Sequence, residues 1–235
     1  MSEMIMIRHG QASFGGETYD RISPMGIAQS RTSAAFFLNS GYSFNALFSG
    51  TLQRQRESAS AFIDYYKEAG ITIPYADPME GLNEHKSEEI VKGILPYVIK
   101  DNPSLSEDAS KLFTDRAAFQ RVYEKVMLRW VSGVDDIPGL QRWVEFKAGV
   151  KAAIDKITDT AEQGSTIAVF TSGGVIAASV QIALSIPDEN AIRLSWHIAN
   201  GSLTRFKFSK KGFALASFNC FSHLEIAGKE MLTYR

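Results

Sequence analysis

Arg8 and His9 stand side by side directly after the apolar run Met4-Ile5-Met6-Ile7. Three further places in the 235-residue chain carry complementary groups. Arg54 lies one turn into a helical segment that follows Ser49-Gly50-Thr51. Glu84 sits in Leu82-Asn83-Glu84-His85, and Thr171-Ser172-Gly173-Gly174 follows Ile167-Ala168-Val169-Phe170. Arginine presents a planar fork of donors matched to phosphate oxygens. A tight turn opening a helix aims backbone N–H groups at an anion. An imidazole among cations is held toward its neutral form, and neutral imidazole is a competent nucleophile toward phosphorus. A carboxyl group in a partly buried loop, its pKa raised, protonates a departing alcohol. Gln11 and Ser13 add polar side chains within reach of a phosphate in the first loop. Each group also has a plain structural reading when taken singly. A histidine after a strand is commonly structural, an arginine in a helix is commonly solvated, Glu84 suits a turn, and Thr171 to Gly174 suits a helix cap.

The weight rests on whether one scaffold brings these groups together. Residues 4–7 predict a first strand ending in Arg8-His9-Gly10. Ser23 as N-cap and Pro24 at the first helical position predict a helix to about Asn39, with Gly41 as a stop. Residues 44–48 predict a second strand. Thr51 is read as the cap of a helix to about Ala69, closed by Gly70, and residues 71–75 as a third strand. Residues 87–163 show no convincing strand. Apolar residues at helical spacing in 112–131 and 140–157 predict two long helices, with irregular segments around Pro96 and Pro103. Residues 167–170 predict a fourth strand, followed by a turn and a helix to about Leu184. Residues 202–208 and 213–218, joined by Lys210-Lys211-Gly212, predict a hairpin.

Strands alternating with helices imply an α/β fold: a mainly parallel central sheet flanked by helices on both faces, with a late antiparallel hairpin. No repeat or clear linker breaks the chain, so residues 1–235 are read as one domain carrying a helical insertion at about 87–140. Ligands of such sheets bind beyond the carboxyl ends of the strands, where the loops after Ile7, Phe48, Tyr75 and Phe170 are expected to converge.

Five segments in order resemble the histidine phosphatase superfamily, which includes phosphoglycerate mutases. Ile7-Arg8-His9-Gly10-Gln11 is similar to its Arg-His-Gly signature, and Ser49-Gly50-Thr51-Leu52-Gln53-Arg54 to its Ser-Ser-Pro-Leu-x-Arg. Leu82-Asn83-Glu84 resembles the segment bearing the family's acid. Residues 170–176 resemble its last phosphate loop, and Asn200-Gly201-Ser202-Leu203-Thr204 its Asn-x-Ser segment. The likeness spans nearly the whole chain apart from residues 87–140. It implies a metal-independent phosphomonoesterase that needs no cofactor. His9 would be phosphorylated and then hydrolysed, Arg8 and Arg54 would bind phosphoryl oxygens, and Glu84 would protonate the leaving group. Ser172 and Gly173 would line the phosphate site.

Two departures matter. Most members carry a second histidine where this chain has Ser172, which retains a hydroxyl to donate a hydrogen bond and cap the helix but carries no charge. Losing one charge-assisted hydrogen bond costs roughly 1.5–3 kcal/mol, or about ten- to a few hundred-fold in rate. Mutases of the family read Arg-His-Gly-x-Thr-x-x-Asn, and those two positions are Ala12 and Gly15 here. Three readings follow: a phosphatase acting on a small phosphomonoester, a non-catalytic phosphate-binding relative, or, less favoured, a mutase. The other histidines, His85, His197 and His223, are read as surface or capping residues. Phe14, Phe113, Phe119, Tyr123 and Trp130 suit either a pocket wall or the core.

Composition narrows the classes further. A formal net charge of −1 without a long basic run argues against nucleic-acid binding. Cys220 is the only cysteine, so no internal disulfide forms, which fits a reducing, cytoplasmic location. The segment MSEMIMIRHG lacks a secretory pattern, and no apolar run approaches a membrane span. The expected partner is a small phosphorylated molecule, and a homo-oligomer is compatible with the sequence. Cysteine-phosphatase chemistry is disfavoured because no arginine lies in the segment after Cys220. The sequence contains neither a Gly-x-x-x-x-Gly-Lys loop nor a Gly-x-Ser-x-Gly elbow. No close Cys/His spacing suggests zinc.

Overall fold

A computed structural model of the chain describes residues 1–13, 20–112, 114–135 and 137–234. Alternation along the first strand, β1 (Ser2–Arg8), sorts its side chains to two sides. Met4 and Met6 enter one apolar cluster, while Ile5 and Ile7 enter the other. A strand apolar on both faces must be covered on both, and β1 lies inside a six-stranded sheet. The other strands are β2 (Ala46–Ser49), β3 (Ala76–Pro78), β4 (Thr166–Thr171), β5 (Leu203–Ser209) and β6 (Gly212–Cys220). Their order is β3-β2-β4-β1-β5-β6. The first four are parallel, and β5 and β6 form the antiparallel hairpin.

Helices α1 (Pro24–Asn39) and α2 (Gln53–Glu68) cover the Ile5 and Ile7 face through Phe37, Phe62 and Tyr66. The opposite face packs on α3 (Ser87–Asp101) and, beyond the short α4 (Ser106–Ser110), which lies against the next helix, on α5 (Arg116–Ser132), α6 (Trp143–Thr160), α7 (Gly173–Leu184) and α8 (Asp188–Ser195). A short helix, α9 (Ser222–Ala227), follows the hairpin. Ser23 caps α1 as read from sequence, its side chain accepting from Gly26 N–H. Gly41 and Gly70 take left-handed φ values just past α1 and α2.

Four sequence readings need correction. Residues 71–75 are not a strand. Pairing with β2 begins only at Leu47 opposite Ala76, and Ile71 and Tyr75 are exposed. Pro78 ends this short strand at the sheet edge, where a missing N–H is tolerated. Thr51 does not cap α2, because Asn83 engages both its N–H (2.6 Å) and its hydroxyl (2.7 Å). The N-cap position is Leu52, and the first helical N–H, from Gln53, goes to the Asp20 carboxylate at 2.8 Å. Pro96 does not interrupt the helix: it lies inside α3 on the exposed side, while Ile90, Ile94 and Val98 keep the buried stripe continuous. Finally, α8 was not foreseen. It starts directly after Pro187 and buries Ala191 and Ile192.

The aromatic residues also divide. Tyr123 and Trp130 are buried in the core, and Phe119 is partly buried, stacked on Tyr123 at 5.2 Å. Phe14 and Phe113 lie outside the described residues. No helix among the described residues is long and apolar enough to cross a membrane.

Candidate active site

The carboxyl ends of the parallel strands are stitched together by main-chain bonds. His9 N–H donates to Thr171 O at 2.8 Å, Gly50 N–H to Phe170 O at 3.0 Å, and Met79 N–H to Ser49 O at 2.8 Å. The Thr171 hydroxyl donates to Leu82 O at 2.7 Å. These bonds bring the four loops named from sequence to one edge.

His9 is buried at the end of β1. Its Nδ1 lies 2.8 Å from Gly10 O, and a carbonyl only accepts, so Nδ1 carries the proton. Nε2 therefore holds the lone pair, and Arg54 Nε donates to it at 3.3 Å. Burial first, then the charges of Arg8 and Arg54, push the imidazole from 6.5 down to about 3, against the Gly10 hydrogen bond and Glu84. The ring is neutral at physiological pH, as expected for a nucleophile. Ser58 fixes the distance between the His9 loop and α2: its hydroxyl accepts from Gly10 N–H at 3.0 Å and donates to Arg54 O at 2.8 Å. Only glycine fits at position 10, because a Cβ there would lie 2.3 Å from Gly26 O.

Arg54 also pairs with Asp20, Nη1 to Oδ1, at 2.5 Å. Arg8 is buried and lies over Gly173, where a Cβ would come within 3.8 Å of its Nε. Its Nη1 donates to the carbonyls of Ile198 and, at 3.1 Å, Tyr234, so the C-terminal segment helps to hold it. Asn200 supports the same loop by donating to His9 O at 3.2 Å.

Gln11 and Ser13 are tied to the start of α1. Gln11 Oε1 accepts from the Ser23 hydroxyl at 2.9 Å, and its N–H donates to Gln29 Oε1 at 2.8 Å. Ser13 N–H donates to Arg21 O at 2.8 Å. Ala12 bridges to Ile22, and Gly15 lies outside the described residues.

Ser172 occupies the N-cap position of α7 but makes no side-chain cap bond, contrary to the sequence reading. Its fully buried hydroxyl instead accepts from Gln55 Nε2 at 2.9 Å. Gln55 also donates to Leu82 O at 2.9 Å, so both of its amide protons are used. Sequence reasoning missed Gln55. Its one signal was a polar residue directly after Arg54, which suits any solvated helix.

The turn at 172–174 does hold an anion, and that anion belongs to the chain. Gly174 N–H donates to Glu84 Oε2 at 3.1 Å. Glu84 Oε1 accepts from His85 Nδ1 at 2.6 Å and from His85 N–H at 3.2 Å. Burial alone would raise this carboxyl. The His85 ring, the Gly174 N–H and Arg54 outweigh it and hold Glu84 well below the usual carboxylate range. The sequence reading, a raised pKa, is thus reversed: partial burial was foreseen, but the donors on both oxygens were not.

His85 is therefore no surface residue. It is buried, stacked on Trp130 at 5.0 Å and edge-on to Phe146 at 5.5 Å. His223 is buried as well, its Nε2 3.0 Å from the Ser33 hydroxyl, whereas His197 is exposed. Among the described residues no group of three or more His, Cys, Asp or Glu side chains is placed to hold a metal ion.

Residues 87–220, more than half of the chain, match the model of the histidine phosphatase superfamily, branch 1. The match includes 87–140, the segment without motif resemblance, and starts after Glu84. No curated protein matches. Solved structures share the fold over nearly the whole chain. A phosphoserine phosphatase from Entamoeba histolytica, in complex with 3-phosphoglyceric acid, superposes with a TM-score of 0.61 at 19% identity, covering 95% of this chain and 100% of that one. A phosphoglycerate mutase from Bacillus anthracis gives 0.63 at 17%, covering 94% of each chain. A mycobacterial glucosyl-3-phosphoglycerate phosphatase with inorganic phosphate gives 0.59 at 17%, covering 94% of this chain and 98% of that one. At these identities the likeness is one of fold.

Proposed function

Since the chain belongs to the histidine phosphatase superfamily, branch 1, we propose that it is a cytoplasmic, metal-independent phosphomonoesterase acting on a small phosphorylated molecule through a phosphohistidine on His9. The observation that carries the reading is the His9 ring itself. It is neutral, its Nδ1 proton is fixed on Gly10 O, and its Nε2 lone pair is turned toward Arg54. A phosphoryl group bound by Arg54, with Arg8 and the Gly173 turn on the other side, brings phosphorus to that lone pair. Nε2 bonds to phosphorus as the ester P–O bond breaks and its electron pair leaves with the oxygen. Water then attacks phosphorus, and the N–P electron pair returns to Nε2. Glu84, a carboxylate at rest, is suited to take the proton of that water.

Incubation with 32P-labelled substrate followed by denaturing quench tests the reading. An acid-labile, alkali-stable phosphoenzyme that disappears in His9→Ala supports it. A phosphoenzyme that persists in His9→Ala overturns it.

Ser172 favours a second reading, a phosphate-binding relative without turnover, because the position carries no charge and its hydroxyl oxygen is already held by the Gln55 amide. Hydrolysis of 4-nitrophenyl phosphate by the wild type, lost in His9→Ala, excludes that reading. Phosphate binding without turnover establishes it. Transfer between the two phosphoglycerates would reveal a mutase, which Ala12 in the first loop disfavours.

A further inference from the structure

Resting on the phosphatase reading, we propose that Thr233 is a positioning residue for the nucleophile: its hydroxyl closes a ring of hydrogen bonds that fixes the main chain on both sides of Gly10, where His9 is carried. Every polar main-chain group of residues 9–11 has a partner. His9 N–H donates to Thr171 O, Gly10 N–H donates to the Ser58 hydroxyl, and Gly10 O accepts from the His9 ring. Gln11 O accepts from Ser23 N–H at 2.8 Å. The remaining groups, His9 O and Gln11 N–H, are held by the side-chain amides of Asn200 at 3.2 Å and Gln29 at 2.8 Å. Both amides are buried, and both bond the Thr233 hydroxyl.

Main-chain partners fix the sense of every bond in the ring. Gln11 N–H only donates, so it faces Gln29 Oε1, and Met231 O only accepts, so it faces Gln29 Nε2 at 2.8 Å. The other Nε2 proton goes to Thr233 Oγ1 at 2.9 Å. His9 O only accepts, so Asn200 turns Nδ2 toward it and leaves Oδ1 as an acceptor, 3.1 Å from Thr233 Oγ1. One amide thus offers a proton and the other a lone pair. A hydroxyl serves both, accepting from Gln29 and donating to Asn200. The ring runs from Gln11 N–H through Gln29, Thr233 and Asn200 to His9 O. A methyl group in place of the hydroxyl leaves a buried donor and a buried acceptor unmatched.

The main chain at Thr233 and Tyr234 extends the hold. Thr233 O accepts from Asn200 N–H at 2.8 Å, and Tyr234 O accepts from Arg8 Nη1 at 3.1 Å. The His9 ring takes its orientation from Gly10 O, so a tilt of the main chain at residues 9–11 turns the Nε2 lone pair away from phosphorus. Thr233 bonds the imidazole nowhere; it acts through Gln29 and Asn200.

Two measurements separate aim from folding. Calorimetric titration with inorganic vanadate counts intact sites. Single-turnover release of 4-nitrophenolate from 4-nitrophenyl phosphate, with enzyme in excess, reads the attack by His9. Thr233→Val should keep the wild-type vanadate stoichiometry and slow the release by about 10- to 100-fold. Thr233→Ser, which restores the hydroxyl, should return the rate most of the way to wild type. Thr233→Cys keeps the size of serine with a weaker donor; it should give an intermediate rate, and it carries the test where Thr233→Val does not fold. A wild-type rate in Thr233→Val or Thr233→Cys overturns the proposal, and a His9 phosphoenzyme in the wild type then leaves the phosphatase reading standing. Thr233→Ser as slow as Thr233→Val overturns it as well, since the hydroxyl is then not what acts. Absence of any His9 phosphoenzyme in the wild type overturns both.

Discussion

Gln55 Nε2 donates to Ser172 Oγ across 2.9 Å, joining α2 to the N-terminus of α7 where both residues are fully buried. The position that the motif resemblance assigns to a second histidine is thus filled by a serine–glutamine pair. Ser172→Ala leaves a buried amide proton unpartnered and should cost about 1–3 kcal/mol in urea denaturation. Ser172→His alone must push into Gln55 and should cost about 1–3 kcal/mol by overpacking. Combined with Gln55→Ala the histidine has room, and kcat/KM on an aryl phosphate should rise about tenfold or more above the wild type. A single Ser172→His as stable as wild type and equally improved in rate would show that Gln55 does not occupy the position.

Gly174→Ala probes the anion site at the start of α7. Its Cβ would sit 2.1 Å from Glu84 Oε1 and 2.8 Å from His85 Nδ1, so the carboxylate must move. A displacement of about 1 Å in a catalytic group costs on the order of 100-fold in rate. The helix itself tolerates alanine, so circular dichroism should be unchanged while kcat falls by about that factor. Wild-type kcat in this variant would place Glu84 outside the chemistry.

Asp20 competes for the arginine that is read as a phosphate ligand. Its carboxylate takes Arg54 Nη1 through Oδ1 and the Gln53 N–H through Oδ2. A phosphate entering this position displaces a resident anion. Surface ion pairs are worth about 0.2–1 kcal/mol, and the Asp20 side of this pair is partly exposed. Asp20→Asn should therefore tighten inorganic phosphate binding by up to about fivefold by calorimetry. Weaker binding would mean that Asp20 orients Arg54 instead of competing with the ligand.

The parts of this architecture that sequence disclosed follow from local rules. Met4 to Ile7 read as a strand because every residue is apolar, and Ser23-Pro24 read as a helix start because cap and first-turn chemistry coincide. The convergence of the His9, Arg54, Glu84 and Ser172 loops followed from parallel topology alone. What stayed hidden depends on long-range partners. Thr51 has the type of a cap, yet Asn83 takes its bonding groups. His85 was read as a surface or capping residue, yet its ring is buried and folds back onto Glu84 because Trp130 and Phe146 provide a slot. The Glu84 pKa could not be read because its direction depends first on the His85 ring folding back onto the carboxyl and then on Gly174, ninety residues distant in the chain.

Acid should destabilise the fold through two buried neutral histidines. His9 is pushed from 6.5 to about 3 by burial and by Arg8 and Arg54. His223 is pushed from 6.5 to about 4 by burial, with Arg205 adding to the shift and the Gly201 hydrogen bond opposing it. Both folded values lie below the unfolded one, so between pH 6.5 and about 3 to 4 the unfolded chain binds protons that the folded chain refuses. Stability is fully present above pH 6.5 and declines as pH falls through that window. The depressed Glu84 carboxyl adds a loss of the same sign below its ordinary 4.5. His223 is the cleaner probe because it bonds Ser33 on α1, away from the phosphate edge. His223→Asn should lower stability at pH 7 but reduce the loss between pH 7 and pH 4 by about 2–3 kcal/mol, read from urea midpoints at the two pH values. An undiminished loss in His223→Asn would mean that this histidine takes up its proton equally in both states, and that His9 and the carboxylates carry the whole acid response.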